Sequence, residues 1–179
     1  GNGFAAACVS SVHPFVFFSR HGSKMVFMLD LTNQRITGKF DGKKTVTCLT
    51  AHPSKPSFAS GHIDGSVRLW DYQLGSSKLS EEYNGLAMSS AKLAPSPFGI
   101  TSLTLSGDLV LAASPIGLVV AFKVSNRGFV VVAARVLNGS RGTANLGVLT
   151  SIEFHGKSDF FLSCFGMGKI QSWRIVGEG

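Results

Sequence analysis

Residues 45–72 read TVTCLTAHPSKPSFASGHIDGSVRLWDY, and this stretch decides how the rest of the chain is divided. Residues 66–71 show the two-residue alternation that is typical of a β-strand. Asp64 and Gly65 come just before this strand, and the pair favours a tight hairpin because the turns that suit strand twist need a positive φ. Pro53 and Pro56 cannot donate to a strand ladder, so they belong in a turn. The stretch therefore predicts three short strands joined by two turns.

The same residues resemble one WD40 repeat, the unit that forms a blade of a β-propeller. In that family, a serine or threonine on the second strand, an aspartate in the hairpin and a tryptophan on the third strand join a histidine in a hydrogen-bonded network. Ser60, Asp64 and Trp70 match three of these positions. The histidine normally follows a glycine ahead of the first strand, but here Gly42 is followed by Lys43. The resemblance therefore implies a network that lacks its histidine.

The spacing of this stretch recurs elsewhere in the chain. Gly65 stands five residues before Trp70, and Gly168 stands five residues before Trp173. Trp173 is therefore predicted to be the counterpart of Trp70 in a later unit. Units spaced by about 40 to 50 residues suit propeller repeats with insertions. We expect four units within residues 1–179, at approximately residues 5–44, 45–99, 100–148 and 149–179.

Two of these units are placed mainly by spacing. In the third unit, Gly117 stands five residues before Phe122. In the first unit, Leu29 falls where the tryptophan would be and Lys24 falls where the turn glycine would be. The resulting fold class is all-β, a WD40-like β-propeller with about four blades present. Seven blades are usual in the family, so the resemblance implies part of a seven-bladed or larger tandem propeller, with a closed four-bladed ring as the alternative.

Two glycine- and serine-containing tracts separate the strand patterns, at residues 74–98 and 138–147. We read both as loops, although the first could contain a strand near residues 91–93. Loops held on rigid strands commonly carry recognition. We therefore expect partner contacts in these two tracts.

Composition limits the class of protein. Charged residues make up 15% of the chain, below the roughly 25% typical of soluble domains, which suggests surface buried against either the rest of a larger protein or other subunits. No apolar run reaches the roughly 18 residues that would span a membrane. Cys8, Cys48 and Cys164 are too few for a disulfide framework and lie in apolar strand patterns. We therefore expect these cysteines to be buried free thiols in a reducing compartment. This predicts an intracellular location, in the cytoplasm or nucleus.

The formal net charge of +7 fits a solvated basic surface, and the alternative is contact with RNA or with an acidic partner, because positive charge raises association rates with both. No long basic run concentrates the charge. The candidates for contact with a partner protein or RNA are the basic residues that flank turns or lie on the exposed side of predicted strands. These are Arg20, Lys24, Lys43, Lys44 and Arg68.

The candidate catalytic and metal-binding motifs lack the residues or the spacing that their chemistry requires. Lys169 ends a sequence that superficially resembles a phosphate-binding loop, but Ile170 follows it and no helix is predicted. Cys48 and His52 have no second pair of ligands, as a zinc site would need. Nothing in the sequence supports a pair of carboxylates held across a cleft, and no G-x-S-x-G motif occurs, so no catalytic centre is predicted. We therefore predict no enzyme, no cofactor, no metal and no small-molecule substrate.

The resemblance implies a non-catalytic interaction scaffold within a multi-protein complex. Two alternatives stay open at the level of sequence. One is a subunit of a ribonucleoprotein machine for ribosome assembly or RNA processing that contacts RNA. The other is a propeller subunit of a vesicle coat or of ciliary transport.

Overall fold

The computed structural model describes residues 3–72, 78–83, 99–125, 128–137, 147–155 and 160–176. Within these ranges every regular element is a β-strand, and no helix is long and apolar enough to cross a membrane. The strands form four separate antiparallel sheets. The predicted all-β architecture is confirmed.

The strands follow the chain from one sheet to the next. The first sheet contains β1 (Phe4–Val9), β2 (Phe15–Arg20), β3 (Met25–Asp30) and β4 (Arg35–Asp41). The second contains β5 (Val46–Ala51), β6 (Ser57–His62), β7 (Val67–Asp71) and β8 (Lys78–Tyr83). The third contains β9 (Ser102–Ser106), β10 (Leu109–Ala113), β11 (Leu118–Ser125) and β12 (Gly128–Val136). The fourth contains β13 (Leu149–Phe154), β14 (Phe160–Phe165) and β15 (Ile170–Arg174).

The sheets stand side by side as blades of a propeller. Their leading strands are neighbours in chain order, since β1 contacts β5, β5 contacts β9 and β9 contacts β13. Three apolar clusters fill the spaces between consecutive blades, and we call them the first, second and third junctions. In the first junction the rings of Phe17 and Phe58 stack with centroids 4.2 Å apart. Truncating either ring to alanine would cost about 3–5 kcal/mol, as is usual for a buried aromatic side chain.

The hairpin between the second and third strands of each blade turns on one glycine. Gly65, Gly117 and Gly168 have φ of 84°, 84° and 74°, and each amide donates to the carbonyl oxygen three residues earlier. A side chain is rarely tolerated in this conformation, which explains the recurring glycine. The first blade corrects the expected frame. Its left-handed glycine is Gly22 (φ 74°), and not a residue at Lys24.

The strand register confirms the predicted place of Leu29 in the first blade. Leu31 donates its amide to the carbonyl oxygen of Pro14, as Tyr72 donates to that of Pro56, so Leu29 stands where Trp70 stands in the second blade. Between Phe15 and its pairing partner Asp30 the first blade has one residue more than the second has between Ser57 and Asp71. The extra residue lies in the hairpin, which is why the turn glycine does not fall at Lys24.

The tract at residues 74–98 was predicted to be irregular, and this is wrong for part of it. Lys78–Tyr83 form β8, which pairs antiparallel with β7 and completes the second blade. Its sequence KLSEEY has too few apolar residues to show a strand period. The strand considered near residues 91–93 lies outside the described residues, as does most of the tract at residues 138–147.

Candidate interaction surface

A buried hydrogen-bonded chain lies beneath one end of the second blade. Trp70 donates its indole N–H to Ser60 Oγ over 2.8 Å, and Ser60 Oγ lies 2.9 Å from His62 Nε2. His62 Nδ1 lies 3.0 Å from the carbonyl oxygen of Lys44. A carbonyl oxygen only accepts, so Nδ1 carries the proton and Nε2 accepts from the Ser60 hydroxyl. The chain thus runs Trp70, Ser60, His62, Lys44 with every donor directed the same way.

His62 supplies the histidine that the sequence had placed ahead of the first strand of the blade. It is fully buried and packs against Gly42, where an added Cβ atom would lie 2.4 Å from Cε1 of the ring. The family pattern placed the histidine ahead of the first strand and so did not point to His62. The available signal was its position two residues after Ser60, because alternate residues of a strand share a face.

Backbone hydrogen bonds tie the loops around His62 together. Gly42 donates its amide to the carbonyl oxygen of Lys24 over 2.9 Å, and Ile63 donates to that of Thr45 over 3.0 Å. Ile100 donates to the carbonyl oxygen of His62 over 3.0 Å. These bonds join the first blade, the second blade and the start of the third. The loops at this end, which we call the hairpin end, are therefore held in a fixed relative position.

Charged side chains cover the hairpin end. Lys24 Nζ pairs with Asp41 Oδ2 over 3.1 Å, and Asp41 Oδ1 accepts the backbone N–H of Lys43 over 2.9 Å. The Lys43 amide and the Lys24 ammonium together hold the pKa of Asp41 below its usual value. Lys43 and Lys44 are both exposed, and Lys43 has the left-handed φ of 56°. The linker between the first two blades therefore presents two adjacent cations to solvent.

The remaining predicted residues of this surface differ in their positions. Arg20 is exposed, and its guanidinium lies 5.9 Å from the ring centroid of Phe27 in the first blade. Arg68 was predicted to be a contact residue, and this is wrong, because only 2% of it is exposed. Alternate side chains of a strand lie on opposite faces of the sheet, and those on one face are exposed only if no neighbouring blade covers that face. In β7 both faces are covered, and its first four residues are all buried.

Asp64 lies at the tip of the β6–β7 hairpin. Its Oδ1 accepts hydrogen bonds from the Ser66 hydroxyl over 2.7 Å and from the Ser66 amide over 3.1 Å. Burial opposes ionisation of Asp64, but the hydrogen bonds from Ser66 outweigh it and lower the pKa of the carboxyl. The aspartate therefore fixes the hairpin that carries exposed Ile63.

Trp173 makes the equivalent bond in the fourth blade. It donates its indole N–H to Ser163 Oγ over 2.8 Å, and the two residues are ten apart, as are Trp70 and Ser60. The residue two positions after Ser163 is Phe165, so this pair has no histidine at the position of His62. Trp173 therefore belongs to a second, shorter network that is separate from the one beneath the hairpin end.

The opposite ends of the blades are joined by different chemistry. His52 is buried, and its Nδ1 accepts the amides of Ser54 and Lys55 over 3.1 and 3.0 Å. Its Nε2 therefore carries the proton and donates to the carbonyl oxygen of Gly107 over 2.9 Å. Burial is the main cause that lowers the pKa of His52. The neutral imidazole thus links the second blade to the third.

The groups that could do chemistry are dispersed. No cluster of three or more histidine, cysteine or acidic residues occurs within the described ranges. Burial raises the pKa of Cys8 and of Cys48 to about 12, which leaves both thiols protonated and poor as nucleophiles or ligands. A cleft of 260 Å³ between the third and fourth blades is lined mainly by apolar side chains, and Arg135 lies 5.3 Å from the ring centroid of Trp173 beside it.

Comparison with known sequences places the repeat where the network lies. The family model described as "WD domain, G-beta repeat" matches residues 34–71. WD repeat-containing protein 75 of Danio rerio is 38% identical over 61 residues, which are 31% of this chain and 7% of that protein. The TSET complex member tstE of Dictyostelium discoideum is 34% identical over 71 residues, which are 38% of this chain and 5% of that protein. The matched segments thus span a small part of these relatives.

Solved structures resemble the whole chain. The β-propeller domain of Cps50 (Swd1) from Myceliophteria thermophila has a TM-score of 0.74 at 11% identity, covering 97% of this chain and 54% of that one. The computationally designed protein Ika4 has a TM-score of 0.68 at 17% identity, covering 98% of this chain and 92% of that one. At these identities the likeness shows the fold. Residues 34–71 therefore match a WD40 repeat, and the four sheets have the architecture of a WD40-like β-propeller.

Proposed function

We propose that this chain is a non-catalytic scaffold subunit of a multi-protein complex, and that it binds a partner protein through the hairpin end. The observation that carries this proposal is the exposed set Lys43, Lys44 and Ile63, held on loops that the buried Trp70–Ser60–His62 chain fixes from below. WD40-repeat proteins in general bind other proteins. Their blades typically serve as scaffolds and carry no catalysis.

The chemistry of the hairpin end favours an acidic protein surface. Lys43 and Lys44 supply positive charge at the rim, and Ile63, which is 48% exposed, supplies an apolar contact between the blades. Interfaces commonly combine an apolar centre with a polar rim. Because the loops are already ordered by hydrogen bonds, binding costs less conformational entropy than it would on free loops.

The relatives support the general role. The name of the Dictyostelium discoideum relative describes it as a member of a complex, which fits a subunit that acts by contact. RNA contact, drawn from the net charge, stays a prediction without further support. The intracellular location and the vesicle-coat or ciliary alternative also stay predictions.

The test is charge reversal with a matched control. Lys43→Glu with Lys44→Glu changes the hairpin end, and Arg35→Glu with Lys39→Glu makes the same change in charge on exposed β4. Tagged forms are purified from cells with and without nuclease, and co-purifying chains are quantified by mass spectrometry. A stable set of proteins lost from the first variant, kept by the second and insensitive to nuclease supports the proposal. Equal recovery with both variants contradicts it, and loss on nuclease treatment indicates RNA instead.

A further inference from the structure

The outermost strand of the third blade differs in composition from those of the first two blades. In the first blade β4 reads RITGKFD, and in the second β8 reads KLSEEY, so each contains three charged residues. In the third blade β12 reads GFVVVAARV, and Arg135 is its one charged residue. Charged side chains on an outermost strand commonly prevent another chain from pairing with its free edge. Along most of β12 the sequence lacks this protection.

β12 is the edge strand of a blade that has neighbouring blades on both sides. It pairs antiparallel with β11 from Gly128 to Val136, and no other strand in the described part of the chain pairs with it. The third blade stands between the second and the fourth, since β9 contacts both β5 and β13. In its sheet β12 is the strand farthest from β9, so its free edge lies on the rim of the propeller. The position of β12 in its own sheet therefore leaves this edge open.

Three successive valines are exposed in the middle of β12. Val130, Val131 and Val132 are 51%, 39% and 41% exposed. Val131 pairs with Phe122, which is buried in the second junction, so Val131 lies on the face towards the second blade and still meets solvent. Val132 lies at the register shift between Val131 and Ala133 and is the extra residue of a bulge. A group of exposed apolar side chains indicates contact with another molecule.

The charges beside the valines restrict which chain can bind there. Lys123 of β11 stands opposite Val130, Arg135 stands near the end of β12, and both residues are exposed. Neither forms an ion pair with a described residue. A second copy of this chain would bring its own Lys123 and Arg135 to the contact, and the like charges would oppose pairing. Acidic side chains on a different protein would instead be attracted by both cations.

We propose that an extended segment of a partner protein pairs with the free edge of β12 and becomes a fifth strand of the third blade. The segment carries apolar side chains against the three valines and acidic side chains against Lys123 and Arg135. In strand addition the main chain supplies the hydrogen bonds, and alternate side chains supply the specificity. This contact is on the rim of the propeller, so it does not depend on which partner binds the hairpin end.

The first test is photo-crosslinking of the full protein in its native cells. The photoreactive residue benzoylphenylalanine replaces Val131, and in a matched variant it replaces Ile36 of β4, which is 48% exposed. We expect position 131 to crosslink to a partner protein that position 36 does not reach. Mapping of the crosslinked peptide should identify a segment in which apolar and acidic residues alternate.

Two variants carry the same photoreactive residue at position 131. Val130→Lys with Val132→Lys places on β12 the kind of charge that β4 has in Lys39, so the crosslink should be lost. Val130→Thr with Val132→Thr keeps β-branched side chains and adds no charge, so the crosslink should be retained. Both variants should keep the circular dichroism spectrum of the parent protein, because the substituted side chains are exposed.

A synthetic peptide copied from the crosslinked segment tests for strand addition directly. When added to the full protein, it should slow amide hydrogen exchange in β12 and leave exchange in β4 unchanged. The same peptide with N-methyl groups at alternate residues should not slow exchange, because it lacks the donors for a strand ladder.

Four results would overturn the proposal. Position 131 could give no crosslink, or it could crosslink to a second copy of this chain. The lysine and threonine variants could behave alike. The peptide could bind without slowing exchange in β12, which would mean that its main chain does not pair with this edge.

Discussion

His62 lies directly against the backbone of Gly42, because a Cβ atom at position 42 would be 2.4 Å from Cε1 of the ring. The glycine belongs to the linker between the first two blades, and the histidine ends β6. Their contact lets the ring lie over the linker and reach the carbonyl oxygen of Lys44. One small residue and one buried ring thus connect the loops of the hairpin end to the core of the second blade.

Gly42→Ala should lower the free energy of unfolding by about 1–3 kcal/mol, the usual cost of an extra methyl group in a packed site. The cost should come from the clash with His62 and not from backbone strain, since Gly42 is not among the residues with a positive φ. Chemical denaturation of both forms measures the difference. In a His62→Ala background the same substitution should cost much less. An unchanged cost in that background would show that the two residues do not compete for space.

Ser60→Ala should be more damaging than Ser163→Ala. Ser60 serves both Trp70 and His62 in a buried site, so its loss leaves two buried polar groups without their partner. Each such group costs about 1–3 kcal/mol. Ser163 serves Trp173, which is half-buried, and we expect about 1 kcal/mol there. Urea unfolding of the two variants gives the comparison, and equal costs would argue against the longer chain in the second blade.

The sequence predicted those parts of the fold that depend on local chemistry. Asp64-Gly65 predicted a hairpin because that turn needs a positive φ, and Gly65 has it. Residues 78–83 were not predicted to form a strand, because their polar sequence shows no strand period. They form β8 by pairing with β7. The apolar period of a segment cannot reveal a strand that forms because a neighbouring strand pairs with it.

Arg68 and His62 show the same limit for the interaction surface. Alternation predicted that Arg68 would be exposed, but a blade is covered on both faces by its neighbours, which one repeat cannot show. His62 joins the network from the end of β6, whereas the family pattern places the histidine ahead of the first strand, and the sequence of one repeat does not show that this ring packs on Gly42. Lys43 and Lys44 were predicted from their place beside a turn, and the structure finds them exposed.

His52 should make stability depend on pH. Its folded pKa lies below the ordinary value of about 6.5, so the unfolded chain binds the proton more readily. Its contribution is therefore complete above about pH 6.5 and is lost as the pH falls below that value. Protonation would remove the Nδ1 acceptor from Ser54 and Lys55, with Lys55 opposing and Asp108 favouring the charge.

His52→Ser is the matched variant for that prediction. Ser10 occupies the corresponding turn of the first blade, where its Oγ accepts the amides of Val12 and His13 over 3.2 and 3.1 Å. A serine at position 52 can cap its turn in the same way without titrating. Thermal melts between pH 5 and 8 should show a smaller loss at acid pH for the variant than for the parent chain. Identical slopes would show that His52 does not titrate on unfolding.

Cys8 and Cys48 should react slowly with thiol reagents in the folded protein. Burial raises the pKa of each thiol to about 12, and only the thiolate is a nucleophile. Timed alkylation followed by peptide mass spectrometry should find both sites protected at neutral pH and fully modified in denaturant. Rapid modification of Cys48 without denaturant would mean that β5 is not covered by its neighbours.

The most direct test of the blade arrangement uses the two tryptophans. Trp70 of β7 meets Phe40 of β4 across the first junction, edge to face with ring centroids 5.4 Å apart. A NOESY spectrum of the Trp173→Phe variant contains indole signals from Trp70 alone, since the chain has two tryptophans. We expect cross-peaks from that indole to the ring protons of Phe40, and Phe40→Leu should remove them. Indole cross-peaks confined to residues of the second sheet would contradict the packing of these sheets as neighbouring blades.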